Sequence, residues 1–208
     1  FKADPLVLEL LRSTNSLLRE SMITHSYPHS WRSKAPLIFR TTPQWFISMD
    51  HDGLRERALS AIKETKWMPS QGENRIRGMI KDRPDWCLSR QRAWGVPITL
   101  YTHKQTGAVL QDPQVNERIL KIFQEEGCDP WFQEDHSRFL GPDHSVDDYT
   151  PCRDILDVWF ESGATQGFVL EGRPELASPA DLYLEGSDQH RGWFQSSLLV
   201  GCGTRGNA

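Results

Sequence analysis

Asp181-Leu-Tyr-Leu-Glu-Gly-Ser-Asp-Gln-His-Arg-Gly-Trp-Phe194 is the stretch on which our prediction of the fold depends. Its apolar run, Leu182–Leu184, is bounded by polar residues and favours a short buried strand. The turn Glu185–Asp188 follows, in which Asp188 or Ser187 is suited to cap the helix predicted over 189–200. A strand that turns into a helix presents backbone N–H groups at the carboxyl edge of a sheet, where open α/β sheets bind nucleotides. An ordinary strand–helix joint with a solvated turn explains the pattern equally well, because short motifs give many false positives.

Hydrophobic periodicity along the rest of the chain predicts an α/β fold. Helices are predicted over 5–20, along Leu54–Ile62, after a capping box at Ser70–Glu73, and from Val115 to Gly127. Strands are predicted at 36–40, 44–49, 96–101 and 154–160, with a hairpin-like turn at Lys104–Gly107. Apolar runs that stop at polar, glycine-containing turns place ligand-facing residues at strand ends.

The composition excludes several classes of protein. The net charge of -4 over 208 residues gives no overall basic field, so contact with RNA would need local patches. No apolar run approaches the roughly 20 residues that cross a bilayer, and the first residues lack the pattern of a secretory signal. Four scattered cysteines without a CxxC pair fit reduced thiols better than a disulfide frame or a zinc knuckle. We therefore expect a cytoplasmic protein without a membrane partner.

Five stretches together resemble one known family. Leu184-Glu-Gly-Ser-Asp-Gln-His-Arg-Gly-Trp-Phe194 is similar to the adenylate-binding segment of the isoleucyl-tRNA synthetase family, which belongs to the class I aminoacyl-tRNA synthetases. Four more stretches agree in the family's order: His25–Arg32, Thr42–Phe46, Arg83–Arg92 with Trp94-Gly95, and Asp157–Gly163. The resemblance covers nearly the whole chain. It implies activation of isoleucine with ATP and Mg²⁺ to an aminoacyl-adenylate, and transfer of the acyl group to tRNA(Ile) by a monomeric enzyme.

The resemblance also implies how the chain is divided. Residues 1–45 would be the tail of the editing insertion with its return strands, and 46–103 the return into the catalytic domain. Residues 104–150 would form a small α+β connective module, and 151–208 the incomplete second half of a Rossmann-like, nucleotide-binding catalytic domain. The sequence has neither a His-x-Gly-His signature nor a Lys-Met-Ser-Lys-Ser-type loop, the two elements that hold ATP phosphates in class I. We therefore expect an interior fragment that does not activate isoleucine alone.

Within the opening stretch, the resemblance implies an aminoacyl-adenylate site. Glu185 and Asp188 are suited to accept hydrogen bonds from ribose hydroxyls or the substrate ammonium group. Gln189 and His190 can donate or accept at the ribose or the adenylate linkage, and Gly186 allows the nucleotide to lie against the main chain. No side chain is expected to react covalently, because positioning and electrostatic stabilisation suffice for this chemistry.

Trp159 and Trp193 are the predicted walls of the amino-acid pocket. Each lies beside a polar turn, and two indole faces would form a rigid apolar wall for a branched aliphatic side chain. Such a wall excludes larger side chains but discriminates weakly against one that lacks a single methylene. Plain core packing is the alternative for both tryptophans.

Arg90 and Arg92 are candidates for contact with the tRNA acceptor end. On an extended chain they share one face, because they are two residues apart. An ion pair with Asp82 or Asp85 explains either arginine equally well.

No metal site is predicted. Ser30 stands where relatives often carry a cysteine, which argues against zinc there. His136 and His144 lie among acidic residues with irregular spacing, which favours a solvated loop over a metal site.

Three other functions stay open. Valyl and leucyl synthetases share the Asp-Trp-Cys-x-Ser-Arg-Gln and Trp-Gly elements, although Glu185–Phe194 favours the isoleucyl family. A non-catalytic RNA-binding module descended from a synthetase is a second alternative. A tryptophan-rich interaction domain is the third.

Overall fold

A computed structural model describes residues 3–92, 94–133 and 135–208. The chain divides into two compact units between Thr42 and Pro43. In the first unit, α1 spans Ala3–Ser13. The predicted helix over 5–20 was too long, because Asn15 takes a left-handed conformation with φ 54° that ends the helix.

The strand predicted at 36–40 was wrong. In this part of the first unit, the described backbone forms only an isolated bridge between His29 and Pro36. The side chains of Ile38 and Phe39 are exposed, since no neighbouring strand covers them.

The second unit contains six helices and six short strands among its described residues. The helices are α2 (Leu54–Glu64), α3 (Gln71–Lys81), α4 (Pro113–Glu126), α5 (Ser137–Leu140), α6 (Val158–Gly163) and α7 (Trp193–Thr204). The strands are β1 (Phe46–Ile47), β2 (Trp86–Cys87), β3 (Ser89–Arg90), β4 (Tyr101–His103), β5 (Tyr149–Pro151) and β6 (Ile155–Leu156). Shorter 3-10 helices lie at His51–Gly53, Asp129–Phe132 and Ser187–Arg191, and a π-helix at Gln166–Glu171.

The described strands form three two-stranded antiparallel sheets. β1 pairs with β2, β3 with β6, and β4 with β5. The mixed helix and strand content agrees with the predicted α/β class, whereas within the described residues these small sheets do not form a parallel Rossmann-like sheet.

Two hydrophobic cores stabilise the second unit. One lies among α2, α3, β2 and α7, and includes Ile62, Ile76, Trp86 and Leu199. Because Gln195–Cys202 are buried, α7 is enclosed over most of its surface and occupies the centre of this core. The other core lies between β4 and α4 and has Trp131 at its centre.

The periodic helices were confirmed, but one predicted cap was not. Leu54, Ala58 and Ile62 are buried on α2, and α4 ends at Gly127 as predicted. At the start of α3, Ser70 is itself helical and its side chain makes no capping hydrogen bond, so the capping box was wrong.

His136 and His144 do not lie in a solvated loop. His136 is buried in the second core, with its Nδ1 atom 2.6 Å from the hydroxyl oxygen of Tyr101. His144 Nε2 lies 2.7 Å from a carboxylate oxygen of Asp112. Aromatic neighbours enclose His136, and burial lowers its pKa from the ordinary value.

Two strands predicted within residues 151–208 were wrong in part or in whole. Within 154–160, only Ile155–Leu156 is a strand, because the side chain of Asp157 accepts a hydrogen bond from the backbone N–H of Trp159 and starts α6. Leu182–Leu184 forms no strand with the described residues, and Leu182 and Leu184 are exposed.

Candidate functional site

The turn at 185–192 joins the segment 182–184 to α7. The 3-10 helix follows Gly186, and Gly192 separates it from α7. The side-chain oxygen Oε1 of Gln189 accepts a hydrogen bond from the backbone N–H of Trp193 at 2.9 Å. Gln189, rather than Asp188 or Ser187, therefore supplies the side-chain acceptor at the start of α7.

Glu185 and Asp188 are exposed carboxylates on this turn. Glu185 Oε2 lies 3.3 Å from the backbone nitrogen of Gly186, and Asp188 Oδ2 accepts a hydrogen bond from Gln189 Nε2 at 3.2 Å. Neither carboxylate forms an ion pair with any residue that the structure describes. Both are thus available to accept hydrogen bonds from a polar ligand.

His190 points into the protein. Its side chain is buried, its Nδ1 atom lies 2.6 Å from the carbonyl oxygen of Ser187, and its ring stacks on Trp67 with centroids 5.8 Å apart. Its Nε2 atom is enclosed without a partner in the described part of the chain. The structure therefore places His190 in the packing between α3 and α7, away from the exposed carboxylates.

Trp159 and Trp193 lie on the two helices that pack against each other, α6 and α7. The indole of Trp159 is half-exposed and approaches Gly192 so closely that a Cβ atom there would lie 3.0 Å from its ring. Trp193 donates its indole N–H to the carbonyl oxygen of Ser162 at 3.0 Å. One face of Trp193 is stacked on Tyr183, with ring centroids 4.1 Å apart. The structure thus brings both tryptophans to the α6–α7 contact, and Tyr183 covers one face of Trp193.

Asp157 connects this contact to β2 and β3. Its buried carboxylate accepts a hydrogen bond from the indole N–H of Trp86 at 3.0 Å and forms an ion pair with Arg90, also at 3.0 Å. The alternative prediction of an ion pair thus holds for Arg90, although its partner is Asp157 instead of Asp82 or Asp85. Arg92 is exposed and forms no ion pair with the described residues.

A cavity of about 160 Å³ lies beside Trp159. Its lining residues come from distant parts of the sequence: Arg83, Trp86, Asp157, Trp159, Arg191, Gly192, Gln195 and Ser196. Arg83 packs over the ring of Trp86 and donates a hydrogen bond to Gln195 Oε1 at 2.7 Å. Burial lowers the pKa of Arg83. The cavity lining therefore combines two aromatic rings with charged and polar side chains.

A comparison with known families identifies the chain's relatives. The family model described as "tRNA synthetases class I (I, L, M and V)" matches residues 13–208. The chain belongs to the class I tRNA synthetases.

The curated relatives of this synthetase chain are named isoleucine–tRNA ligases. The chain is 56% identical over 208 residues to the protein from Pelagibacter ubique. That alignment covers 100% of this chain and 23% of the relative. It is 56% identical to the proteins from Zymomonas mobilis, over 215 residues, and Caulobacter vibrioides, over 213 residues. Each of these alignments covers 99% of this chain, and 23% and 22% of the respective relative. The chain thus spans less than a quarter of the length of these relatives.

Sequence reasoning missed four residues around this site in the synthetase chain: Asp157, Trp86, Gln195 and Tyr183. A preferred cap residue before Val158 was the one available signal for Asp157. The others are brought to the site by contacts across long sequence separations, which local patterns do not report.

None of the described helices has the length and apolar character that a membrane span requires. Among the residues that the structure describes, no group of three or more His, Cys, Asp or Glu side chains is arranged to hold a metal ion.

Proposed function

We propose that this chain forms part of an isoleucine–tRNA ligase, which activates isoleucine with ATP and transfers it to tRNA(Ile). The observation that carries the proposal is the 56% identity to proteins of that name over the whole chain. The proposal includes a Rossmann-like catalytic domain built partly from residues 46–103 and 151–208, with 1–45 as the tail of an editing insertion and 104–150 as a connective module. It also includes a monomeric enzyme in the cytoplasm.

The turn carrying Glu185 and Asp188 is proposed to bind the aminoacyl-adenylate. Two exposed carboxylates without ion-pair partners in the described residues support this assignment, since they can accept hydrogen bonds from ribose hydroxyls or an ammonium group. Gly186 lies between them and lets the nucleotide approach the backbone. Gln189 accepts a hydrogen bond from the backbone N–H of Trp193 and so fixes the turn. We propose that its side-chain amide also contacts the substrate, through the hydrogen bonds that it can still form.

His190 is proposed to support the turn from inside. Its bond to the carbonyl oxygen of Ser187 and its stack on Trp67 hold the 3-10 helix against α3. A direct contact with ribose would require His190 to leave this packing.

The partly buried ring of Trp193, on the face away from Tyr183, and the half-exposed ring of Trp159 are proposed to bind the isoleucine side chain. Fixed indoles suit this role because a rigid wall excludes larger side chains by overlap, while valine is rejected only weakly. The hydrogen bond of Trp193 to Ser162 and the close approach of Trp159 to Gly192 support the required rigidity.

Arg92 is the better of the two candidates for the tRNA acceptor end. Arg90 is held by Asp157, whereas Arg92 is exposed and can meet a phosphate group. Mg²⁺ would accompany the phosphates of ATP, since phosphate oxygens and water are ligands that this ion prefers.

The test is a chimera in which this chain replaces the matching 23% of the Pelagibacter ubique isoleucine–tRNA ligase. We expect isoleucine-dependent exchange of pyrophosphate into ATP by the chimera, loss of that exchange in Glu185→Ala, and none from residues 1–208 alone. Pyrophosphate exchange that depends on valine or leucine instead of isoleucine would favour assignment to a valyl or leucyl synthetase. A chimera that does not fold, or that folds and binds RNA without exchange, would overturn the proposal.

A further inference from the structure

Tyr183 is the residue through which the segment carrying Glu185 contacts α7. The two rings of Tyr183 and Trp193 are stacked at 4.1 Å with an angle of 22° between their planes. Tyr183 also lies 6.0 Å from Phe194 in the next position of the helix. Its neighbours Leu182 and Leu184 point outward, with 76% and 78% of their surface exposed.

The backbone around Tyr183 has little other support. Among the described residues, the main chain of 182–185 forms no hydrogen bond with the backbone of another element. The first backbone hydrogen bond after Glu185 lies within the following turn, from the N–H of Gln189 to the carbonyl oxygen of Gly186. The Tyr183 stack is therefore the principal contact that sets where Glu185 stands.

The partner of this stack is rigidly held. Trp193 donates its indole N–H to Ser162 on α6 at 3.0 Å, and its backbone N–H to Gln189 at 2.9 Å. A ring fixed at both its indole edge and its backbone cannot turn to follow Tyr183. The position of Tyr183 is thus set by Trp193, and Tyr183 in turn covers one face of Trp193.

We propose that Tyr183 is a positioning residue that couples the isoleucine-binding wall to the adenylate-binding carboxylate. The proposal rests on the proposed function. The stack selects which face of Trp193 meets the substrate side chain. It also restrains Glu185, which lies two residues further along the chain and so at most about 7 Å away between Cα atoms. Loss of the ring would release Glu185 and uncover the face of Trp193 that Tyr183 covers, so isoleucine selectivity and ATP use would change together.

A purely structural role for Tyr183 predicts a different outcome. If the ring only filled space, its loss would lower stability and leave the selectivity between isoleucine and valine unchanged. Removing only the hydroxyl group shows whether the ring or the polar atom matters. The hydroxyl oxygen is enclosed without a hydrogen-bond partner in the described residues. Tyr183→Phe keeps the stack and should therefore behave like the unsubstituted protein.

The experiment compares Tyr183→Leu, Tyr183→Phe and the matched control Tyr149→Leu in the chimera. Tyr149 packs edge-on against His103 and His144 in the other core, so its replacement removes a ring of the same size away from the site. For Tyr183→Leu we expect kcat/KM to fall about tenfold to a hundredfold for both isoleucine and ATP, the scale of a misplacement of about 1 Å. The ratio of kcat/KM for isoleucine to that for valine should fall about threefold or more. Tyr183→Phe should stay within about twofold of the unsubstituted chimera by the same geometric reasoning.

The outcomes separate this inference from the proposed function. If the unsubstituted chimera does not activate isoleucine, the proposed function fails and the inference fails with it. If the chimera is active and Tyr183→Leu lowers only the melting temperature, as Tyr149→Leu should, the inference alone is refuted. Should Tyr183→Leu not fold, Tyr183→Met keeps an apolar side chain without a ring face, and unchanged selectivity in that variant refutes the inference equally.

Discussion

Gly163 lies at a close contact between α6 and α7, and replacing it with alanine tests the arrangement of the site. A Cβ atom at Gly163 would lie 2.8 Å from both the carbonyl carbon and the carbonyl oxygen of Ser196, and 3.1 Å from the backbone nitrogen of Ser197. These are backbone atoms of a buried helix, so no side chain can rotate away. Gly78 on α3 is the matched control, because a Cβ atom there meets nothing within 4 Å.

The two substitutions should change stability in opposite directions. Alanine is favoured over glycine inside a helix by up to about 1 kcal/mol, so Gly78→Ala should stabilise by about 0.5–1 kcal/mol. At Gly163 the contact has to lengthen by about 0.6 Å to reach an ordinary distance, and such overpacking costs about 1–3 kcal/mol. Three backbone contacts place this position in the upper half of that range. We expect Gly163→Ala to destabilise by about 1–2 kcal/mol after the helix gain is subtracted.

Urea denaturation followed by tryptophan fluorescence measures both changes in the 208-residue chain. The difference between the two variants in free energy of unfolding should be about 1.5–3 kcal/mol. In the chimera, Gly163→Ala should also weaken isoleucine activation, because Ser162 next to it holds the indole of Trp193. Equal stabilisation by both substitutions would refute the close packing of α6 on α7, and with it the position of Trp159 and Trp193.

Three further predictions concern buried polar groups. Asp157→Ala leaves the indole N–H of Trp86 unpaired and removes a helix cap, so urea denaturation should show a loss of about 2–4 kcal/mol. Asp157→Asn keeps one of the two acceptor oxygens and should lose less, so equal losses would contradict the role of the hydrogen bond and the cap. Because burial lowers the pKa of His136, the unfolded chain binds this proton at higher pH than the folded one. Stability should therefore be full above the ordinary histidine pKa of about 6.5 and fall as pH decreases below it, and pH-dependent denaturation of His136→Gln should lack that part of the fall. Burial raises the pKa of Cys202 to about 11. At pH 8 about one thiol in a thousand would be ionised, so iodoacetamide should label Cys202 far more slowly than Cys128 in peptide mapping, and comparable rates would contradict its burial.

The helices that were predicted correctly have a common physical origin. In α2, α3 and α4, apolar residues recur at helical spacing, and one face of each helix is buried in a core. The hairpin turn at Lys104–Gly107 was also confirmed by the bond between the N–H of His103 and the carbonyl oxygen of Ala108. Local periodicity and turn chemistry were sufficient for these elements.

The apolar runs at 154–160 and 182–184 were misjudged for a different reason. A short apolar run does not distinguish strand from helix or extended chain, and its state depends on what lies beside it. Asp157 turns the first run into α6, and the second run meets no partner strand in the described residues. The capping residue of α7 was also missed, because Gln189 reaches it from the preceding turn.

The sequence by itself determined the family, the polar turn with Glu185 and Asp188, and the helices with a clear apolar face. These depend on residues that are close in sequence, whose spacing and chemistry can be interpreted without the structure. Only the tertiary structure decided that Arg90 pairs with Asp157, that His190 turns inward and that Tyr183 covers Trp193. Each of these follows from how elements pack, since an ion pair, a buried ring or a stack forms only where folding brings separate segments within contact distance.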